Sequence, residues 1–288
     1  MKEKHSKIQL IKRGIALKDK KKSKVQMTKS VEQIIDNLTL FDDDLMSMVF
    51  DGNIPAAELI LRIILKREDI KVISVVGQKE LENPVVGGRN IRLDILAKEQ
   101  NGKIFNVEVQ RSNEGASEKR ARFHSSMIDS RMLKAGQDFK ELRESYVIMI
   151  TQKDYLGYGL PSYTIHRYVE ELGTTFQDGS HIIYVNGSYK GNDPIGKLMS
   201  DFECKNAEDM YYKELAEGVK HFKKEGGREI MCEAVEEYAT RKSMIAAIED
   251  AISYGIDKER ILLRVCEKYG ITKEEAEEFY ESCLVVEV

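Results

Sequence analysis

Cysteine is scarce and long apolar runs are absent from this sequence, and each absence excludes a class of protein. The chain has 288 residues and four widely spaced cysteines, with no Cys-X-X-Cys motif. This spacing indicates neither a disulfide framework nor a zinc site. No run reaches the roughly 18 apolar residues needed to cross a membrane. We therefore expect a soluble, cytoplasmic protein. The cysteines are Cys204, Cys232, Cys266 and Cys283.

Glycine motifs that bind phosphate groups are also missing. The chain has neither the P-loop spacing nor a predicted strand followed by Gly-X-Gly-X-X-Gly and a helix. The Gly87-Gly88 pair permits a bend or a close approach of the backbone but does not form such a loop. The apolar stretch at residues 8–17 is interrupted by Lys12-Arg13, so it is not the core of a signal peptide.

Charge is distributed unevenly between the two ends of the chain. Residues 1–29 contain eleven Lys or Arg and two Asp or Glu. This composition predicts a disordered basic tail, which is either a nucleic-acid tether or a variable extension. Residues 272–288 hold six Glu and one Lys in a segment with a helix-turn-helix-like pattern. Phosphates would repel so acidic a helix, and we expect packing or self-association there instead.

The stretch RLDILAKEQNGKIFNVEVQ, residues 92–110, predicts a β-hairpin whose strands each have an apolar and a polar face. A two-residue Asn101-Gly102 turn would mix these faces. A three-residue loop at 100–102 aligns them and places Asp94 directly opposite Glu108, with their Cβ atoms roughly 5 Å apart. The aligned register is the one that we expect.

Two opposed carboxylates repel each other unless a cation lies between them. A divalent ion such as Mg²⁺ or Mn²⁺ suits a ligand set made only of oxygen atoms. The alternative is a solvated strand face on which Arg92, Lys98 or Lys103 neutralises the acids. The spacing by itself leaves both interpretations open.

The hairpin and several blocks around it resemble a known family. Asp94 followed by Glu108-Val109-Gln110 resembles the core of the PD-(D/E)XK nuclease superfamily, and further blocks are similar to its branch described as PD-(D/E)XK nuclease family transposase. The resemblance covers roughly residues 38–225. Two departures stand out, because no Pro precedes Asp94 and Gln110 occupies the position of the motif's Lys. The blocks are LFDDDLMSMVFDGN, NPVVGGRNIRLDI, RARFHSSMIDSRML and GSHIIYVNG.

The resemblance implies a Mg²⁺- or Mn²⁺-dependent endonuclease acting on DNA. Asp94, Glu108 and the backbone carbonyl of Val109 would hold the metal, and Gln110 would orient the attacking water. An amide cannot take up a proton near neutral pH. The proton acceptor is then a substrate phosphate, bulk water or Glu58. We expect cleavage without strand transfer, with recombination following only from broken DNA.

Glu58 lies in a predicted helix at residues 53–69, and the superfamily often supplies an acid to its metal site from a helix in this position. The other explanation is that a Glu in a first turn complements the helix dipole. A second predicted helix, residues 116–135, carries cations just after the metal-binding strand. These cations would contact phosphates or form a solvated basic face. They are Lys119, Arg120, Arg122 and Arg131.

Predicted strands at residues 70–76, 146–151 and 181–186 complete an α/β pattern. The resemblance implies a restriction-endonuclease-like core with a mixed central sheet flanked by helices. We therefore divide the chain into a tail (1–29), a nuclease-like domain (30–200) and a helical C-terminal region (201–288) through which homo-oligomers could form. A functional alternative is a catalytically weakened protein that uses the fold as a DNA- or protein-binding scaffold.

Overall fold

A computed structural model of the protein describes residues 29–284. Three helices come first in this range: α1 (Lys29–Asn37), α2 (Asp43–Phe50) and α3 (Ile54–Leu65). Strands and one helix follow: β1 (Val72–Leu81), β2 (Ile91–Glu99), β3 (Ile104–Gln110), α4 (Glu118–Asp129), β4 (Ser145–Thr151) and β5 (Ser162–Ile165). A small hairpin comes next, made of β6 (Tyr168–Val169) and β7 (Thr174–Thr175). The last strand, β8 (Ser180–Asn186), returns to the central sheet. Five helices end the range: α5 (Pro194–Glu203), α6 (Lys213–Lys224), α7 (Arg228–Ser253), α8 (Lys258–Tyr269) and α9 (Lys273–Leu284).

The central sheet is mixed, with strand order β1-β2-β3-β4-β8-β5. Strands β3, β4 and β8 run parallel, and the other neighbouring pairs are antiparallel. The register aligns the last residues of the parallel strands, Gln110, Thr151 and Asn186, at one end of the sheet. In open α/β sheets, ligands bind at this carboxyl end of the parallel strands.

Helices cover both faces of the sheet. One face packs on α1 to α3 and on α5, α6 and the first part of α7, in a core that includes Phe50, Phe105 and Phe202. The other face packs on α4 through a smaller cluster that includes Leu93, Ala121 and Met149. The predicted fold class is therefore confirmed: the structure is α/β, with a mixed central sheet between helices and additional helices at the C-terminus.

The predicted register of the hairpin is confirmed. Ile95 pairs with Val107 and Ala97 with Phe105, and the amide of Glu99 donates to the carbonyl of Lys103 at 2.9 Å. The loop therefore has three residues, and its Gly102 has a φ of 90°, a conformation that glycine adopts without steric cost. Extending the same register by one step places Asp94 opposite Glu108.

Some predicted boundaries differ from those in the structure. The basic helix was expected over residues 116–135 but ends at Asp129, because Ser130 and Arg131 donate side-chain hydrogen bonds to the carbonyl of Met127. These bonds satisfy a carbonyl that a longer helix would have used. Strands β5 to β7 were not predicted, since their few residues are too short to show a periodic pattern.

The helical C-terminal region does not separate from the core at residue 201. Leu215, Val219 and Met231 belong to the main hydrophobic core, whereas Met244 and the residues after it form a cluster of their own. The single long helix α7 carries residues of both clusters. A capping box begins α9, because Thr272 and Glu275 each accept the other's backbone N–H.

Membrane crossing and the basic tail were also subjects of prediction. Among the helices of residues 29–284, none is long and apolar enough to span a bilayer. The predicted tail, residues 1–29, lies outside the described residues except for its last position.

Candidate active site

The candidate site lies where β2 separates from β3. Regular pairing between these strands extends only from Lys98 to Ile95. Beyond that point two side chains replace the backbone ladder. The amide of Asp94 donates to Oε1 of Glu108 at 3.2 Å, and the amide of Val109 donates to Oδ2 of Asp94 at 2.9 Å. The two acids are thereby fixed on opposite walls of the opening between the strands.

Strand β1 bends at the same level. Gly77 pairs with Ile95 and Lys79 with Leu93, and Gln78 between them has a φ of 50°. A positive φ is rare for a residue with a side chain. Ile95 packs in the main core, but Leu93 packs in the cluster under α4. The bend thus turns β2 from one face of the sheet to the other at Asp94.

Both acids are removed from water. Glu108 is 0% exposed and Asp94 is 6% exposed. Burial and the nearby charge of Glu108 raise the pKa of Asp94 well above its usual range. A buried carboxylate next to another carries a cost in free energy that a cation between them would relieve. The pair is an electrostatic arrangement typical of a functional site rather than of a packed core.

Helix α4 supplies the nearest cationic and polar partners of Glu108. Nη2 of Arg120 lies 3.3 Å from Oε2, and Nδ1 of His124 lies 3.4 Å from Oε1. Nδ2 of Asn106 lies 3.3 Å from the same nitrogen of His124. Ser117 caps α4 by accepting the amide of Arg120 and so fixes the start of this helix beside β3. Glu108 is held in place from the helix side.

The solvated strand face considered from the sequence is wrong. Glu108 is buried under α4, and two of the three bases proposed to neutralise it pair elsewhere. Arg92 bonds Asp43 at 2.9 Å, and Lys103 bonds Glu144 at 3.0 Å. Lys98 is exposed on the far half of β2. Sequence spacing could not show that a helix covers this polar face.

Acids at the start of α2 lie on the other side of the opening. Arg92 connects Asp43 to β2, and Arg111 bonds Asp42 at 2.7 Å just beyond the end of β3. The charge of Asp43 also raises the pKa of Asp94, by less than burial and the charge of Glu108 do. The acidic start of this helix therefore faces the site, although the sequence pattern assigned it no role.

The donors at the opening fit a hard divalent cation. The carbonyl of Gln110 accepts the amide of Gln152 beyond β4 at 2.9 Å. Successive carbonyls along a strand point to opposite sides, so that of Val109 points toward Asp94 on β2. Two carboxylates and one carbonyl suit Mg²⁺ or Mn²⁺, which retain several water ligands. Within residues 29–284, no group of three or more His, Cys, Asp or Glu side chains is arranged to hold a metal. Asp94, Glu108 and the Val109 carbonyl are thus the candidate ligands.

Comparison with known families gives one match. The family model of the PD-(D/E)XK nuclease family transposases matches residues 57–187. The resemblance seen in the sequence is confirmed, and the family supports a role as a nuclease connected with mobile elements. Neither a curated protein nor a solved structure matches the chain.

Gln110 lies within the matched range, at the position that the resemblance assigns to the motif's Lys. It follows Glu108 on the same face of β3 and is half-buried. Its side chain lies over the turn Asn113–Ala116, where a Cβ at Gly115 would collide with its Oε1. The bare backbone of Gly115 therefore makes room for this amide beside the site.

The structure does not bring Glu58 to the metal-binding pair. Its Oε1 accepts the amide of Val72 at 2.8 Å, and its Oε2 bonds Arg62 at 2.9 Å. Val72 pairs with Glu99, which is five positions from Asp94 along β2, or roughly 16 Å. Helix α3 packs its apolar face on the main core, and Glu58 fixes the start of β1 at the opposite end of the sheet. We therefore leave Glu58 out of the site.

The four cations predicted to bind phosphate, on α4 and just after it, differ in exposure and in their partners. Lys119 and Arg122 are exposed, whereas Arg120 turns inward to Glu108 and its Nε is buried without a hydrogen-bond partner in the described range. Arg131 donates to the carbonyl of Met127 just after the helix. Only Lys119 and Arg122 are thus free to extend from the helix toward a ligand.

Sequence reasoning gave little weight to His124, which contacts Glu108, and to Asn106, which contacts His124. His124 is 2% exposed and Asn106 is fully buried. Asn106 carried a signal, because it lies two positions before Glu108 on the same polar face of a strand. His124 follows Arg120 at the spacing of one helical turn. Only the packing of α4 on β3 shows that these positions converge.

Proposed function

We propose that the protein is a Mg²⁺-dependent endonuclease, also active with Mn²⁺, that hydrolyses phosphodiester bonds in DNA. The observation that carries the proposal is the pair of buried, opposed carboxylates at the point where β2 leaves β3. The family match supports the coarser assignment to a nuclease. A metal ion held by Asp94, Glu108 and the Val109 carbonyl would activate water and stabilise charge on the scissile phosphate.

The residues at the site would have separate roles in this reaction. Asp94 and Glu108 would bind and position the metal, and His124, itself contacted by Asn106, would keep Glu108 in place. Gln110 orients the attacking water by hydrogen bonding but cannot accept its proton. Because Glu58 is remote, the proton passes to a substrate phosphate or to bulk water. Lys119 and Arg122 contact the DNA backbone, which supplies affinity independent of sequence.

Nicking of supercoiled plasmid by the purified protein tests this proposal. We expect nicked circles with Mg²⁺ or Mn²⁺ and none with EDTA. Asp94→Ala and Glu108→Ala should each lower the rate about a hundredfold or more, the loss typical of removing a key electrostatic contact. Glu144→Gln, at the opposite end of the sheet, is the matched carboxylate control. Equal traces of nicking in all samples would indicate contamination and contradict the proposal.

A binding scaffold is the second candidate function. Two observations favour it, namely the replacement of the motif's Lys by Gln110 and the contact of Arg120 with Glu108 at 3.3 Å. Such a protein would bind DNA in EDTA but leave plasmid and RNA intact under every metal condition. The replacement Gln110→Lys restores the motif, and activity gained only in that variant would support the scaffold.

Cleavage without strand transfer is our proposal for the reaction, with recombination arising from the breaks. Recovery of targeted insertion products from purified protein would contradict it.

We also propose a cytoplasmic location and self-association through the C-terminal helices. Leu263 on α8 and Tyr254 at the end of α7 are 61% and 82% exposed there. Light scattering of the full chain and of Leu263→Glu tests the association, because a charge would weaken an apolar interface.

A further inference from the structure

The loop between β4 and β5, residues 152–161, leaves the sheet at the same end as the candidate site. It begins directly after Thr151, which pairs with Gln110 on β3. Tyr155 in this loop stacks on Tyr184 with ring centroids 4.8 Å apart. Burial and a hydrogen bond to Glu118, the first residue of α4, raise the pKa of Tyr155. The loop is thus anchored to the start of the helix that reaches Glu108.

An exposed aromatic ring stands at the tip of this loop. Tyr158 is 80% exposed, and the glycines on either side of it have φ values of 75° and 71°. Its neighbours Leu156 and Leu160 are 36% and 53% exposed. Placing a large ring in water gains no burial energy. Its exposure therefore calls for a reason other than folding.

The loop is held in one conformation by a compact set of hydrogen bonds. Oδ2 of Asp154 accepts the amide of Gly159 at 2.7 Å and the hydroxyl of Tyr163 at 2.8 Å. The same hydroxyl accepts the amides of Tyr158 and Leu160, both at 3.2 Å. The chain thus devotes a carboxylate and a tyrosine of β5 to presenting the Tyr158 ring, which reduces the entropy lost on binding a ligand.

Distance and charge relate this ring to the candidate site. Tyr163 belongs to β5, which is separated from β3 by three strand spacings, or roughly 14 Å. About four nucleotides cover that distance at the 3.4 Å rise of stacked DNA. Lys153 in the loop is exposed, and so is Lys119 on α4, which follows the Glu118 that bonds Tyr155. Both side chains are therefore available to contact phosphates of a bound strand.

We infer that Tyr158 is a stacking platform for an unpaired base of the nucleic-acid strand that enters the site. This inference rests on the proposed nuclease function and deepens it, because it assigns the site a substrate with a single-stranded stretch beside the scissile bond. Bases stack on exposed aromatic side chains without regard to sequence, whereas a paired base keeps its faces inside the duplex.

The absence of tryptophan from the chain allows a direct test. Tyr158→Trp creates a protein with one tryptophan, whose fluorescence a stacked base should quench. Phe139→Trp is the matched control, because Phe139 is 87% exposed and precedes β4, at the opposite end of the sheet. In EDTA, a single-stranded DNA of mixed sequence should quench the first variant and not the second. The same sequence as a duplex should quench neither.

Anisotropy of a labelled strand gives the affinity change. Tyr158→Ala should weaken single-strand binding roughly 5- to 150-fold, the loss expected for one stacked base, and Tyr158→Phe should retain binding. Equal losses for single strand and duplex would overturn the assignment of an unpaired base. Unchanged binding and no quenching, in a protein that nicks plasmid, would overturn the platform but leave the nuclease intact. A protein that neither binds nor nicks would refute both.

Discussion

The two ends of the central sheet each hold buried or half-buried carboxylates, and the pKa values of these carboxylates are shifted in opposite directions. At the amino end of the parallel strands, Glu144 accepts the hydroxyl of Tyr146 at 2.6 Å and pairs with Lys103 at 3.0 Å. Although burial raises it, these bonds bring the pKa of Glu144 below its usual value. At the carboxyl end, Asp94 lies beside Glu108, and its pKa is raised.

The difference shows how a structural acid can be told from a functional one. Glu144 and Glu58 both have cationic partners and hydrogen bonds that satisfy their charge. Asp94 receives one backbone amide, and the charge that acts on it most strongly is that of another carboxylate, Glu108. A fold has no structural reason to retain such a pair, because well-packed apolar residues would be as stable. The unbalanced end of the sheet is therefore where we expect a cation and a substrate.

Metal binding should produce the largest difference between the two ends. We expect Mn²⁺ or Mg²⁺ to raise the free energy of unfolding by about 2.7 kcal/mol when the free ion is at 100 times its dissociation constant. Glu108→Gln should abolish this gain, whereas Glu144→Gln should retain it. Thermal melting with and without EDTA provides the measurement. An unchanged melting temperature in millimolar metal would argue against a site at Asp94 and Glu108.

Amide replacements should change stability with opposite signs at the two ends. In EDTA at neutral pH, Asp94→Asn should stabilise the protein by an amount on the order of 1 kcal/mol, because it removes a buried like charge and keeps an oxygen for the Val109 amide. Glu144→Gln should destabilise it by no more than about 1 kcal/mol, since that side chain is 40% exposed and screened by water. Urea titrations of both variants test this, and a loss of stability in Asp94→Asn would contradict it.

The raised pKa of Asp94 also fixes the sign of a pH dependence. The folded state keeps the proton of Asp94 at pH values where the unfolded chain has already released it, above about 3.9. Its contribution is therefore most favourable below that pH and is lost as pH rises through the folded-state pKa. In EDTA, the stability of Asp94→Asn relative to wild type should increase from pH 4 toward neutral. A constant difference between the two proteins would mean that Asp94 is not perturbed.

Cations at the two ends should differ in their effect on DNA binding. Lys119→Ala should weaken binding a few-fold and reduce the salt slope of the affinity by about 1, as expected for one lost phosphate contact. Lys103→Ala, which removes the partner of Glu144, should leave the slope unchanged. Anisotropy titrations at several salt concentrations give both slopes. Equal changes in the two variants would indicate nonspecific binding over the whole surface.

Glu58→Gln should have the smallest effect on activity. Because Glu58 contacts Arg62 and the Val72 amide at the amino end, we expect the nicking rate to change by less than a factor of two. The free energy of unfolding should fall by about 1 kcal/mol or less, the usual range for a partly exposed ion pair. A large loss of rate at an unchanged melting temperature would return Glu58 to the catalytic site and contradict its position in the structure.

Local patterns were sufficient where the determining interactions are between neighbours in the sequence. Alternation of apolar and polar residues, with a glycine that can adopt a positive φ, determined the strands and the three-residue loop of the hairpin. Those features place Asp94 opposite Glu108 without reference to the rest of the chain. The capping box of Thr272 and Glu275 depends on neighbours in the sequence in the same way.

Tertiary packing decided everything that depends on residues distant in the sequence. Helix periodicity placed Glu58 in a first turn but could not reveal that its helix lies at the amino end of the sheet. Burial of Glu108 under α4, the contacts of His124 and Arg120, and the bend of β2 at Asp94 arise only when separate elements meet. The sequence by itself determined the two acids and their register. The structure determined that both are buried beside α4, with Arg120 lying 3.3 Å from Glu108, because desolvation and ion pairing depend on the elements that cover the two acids.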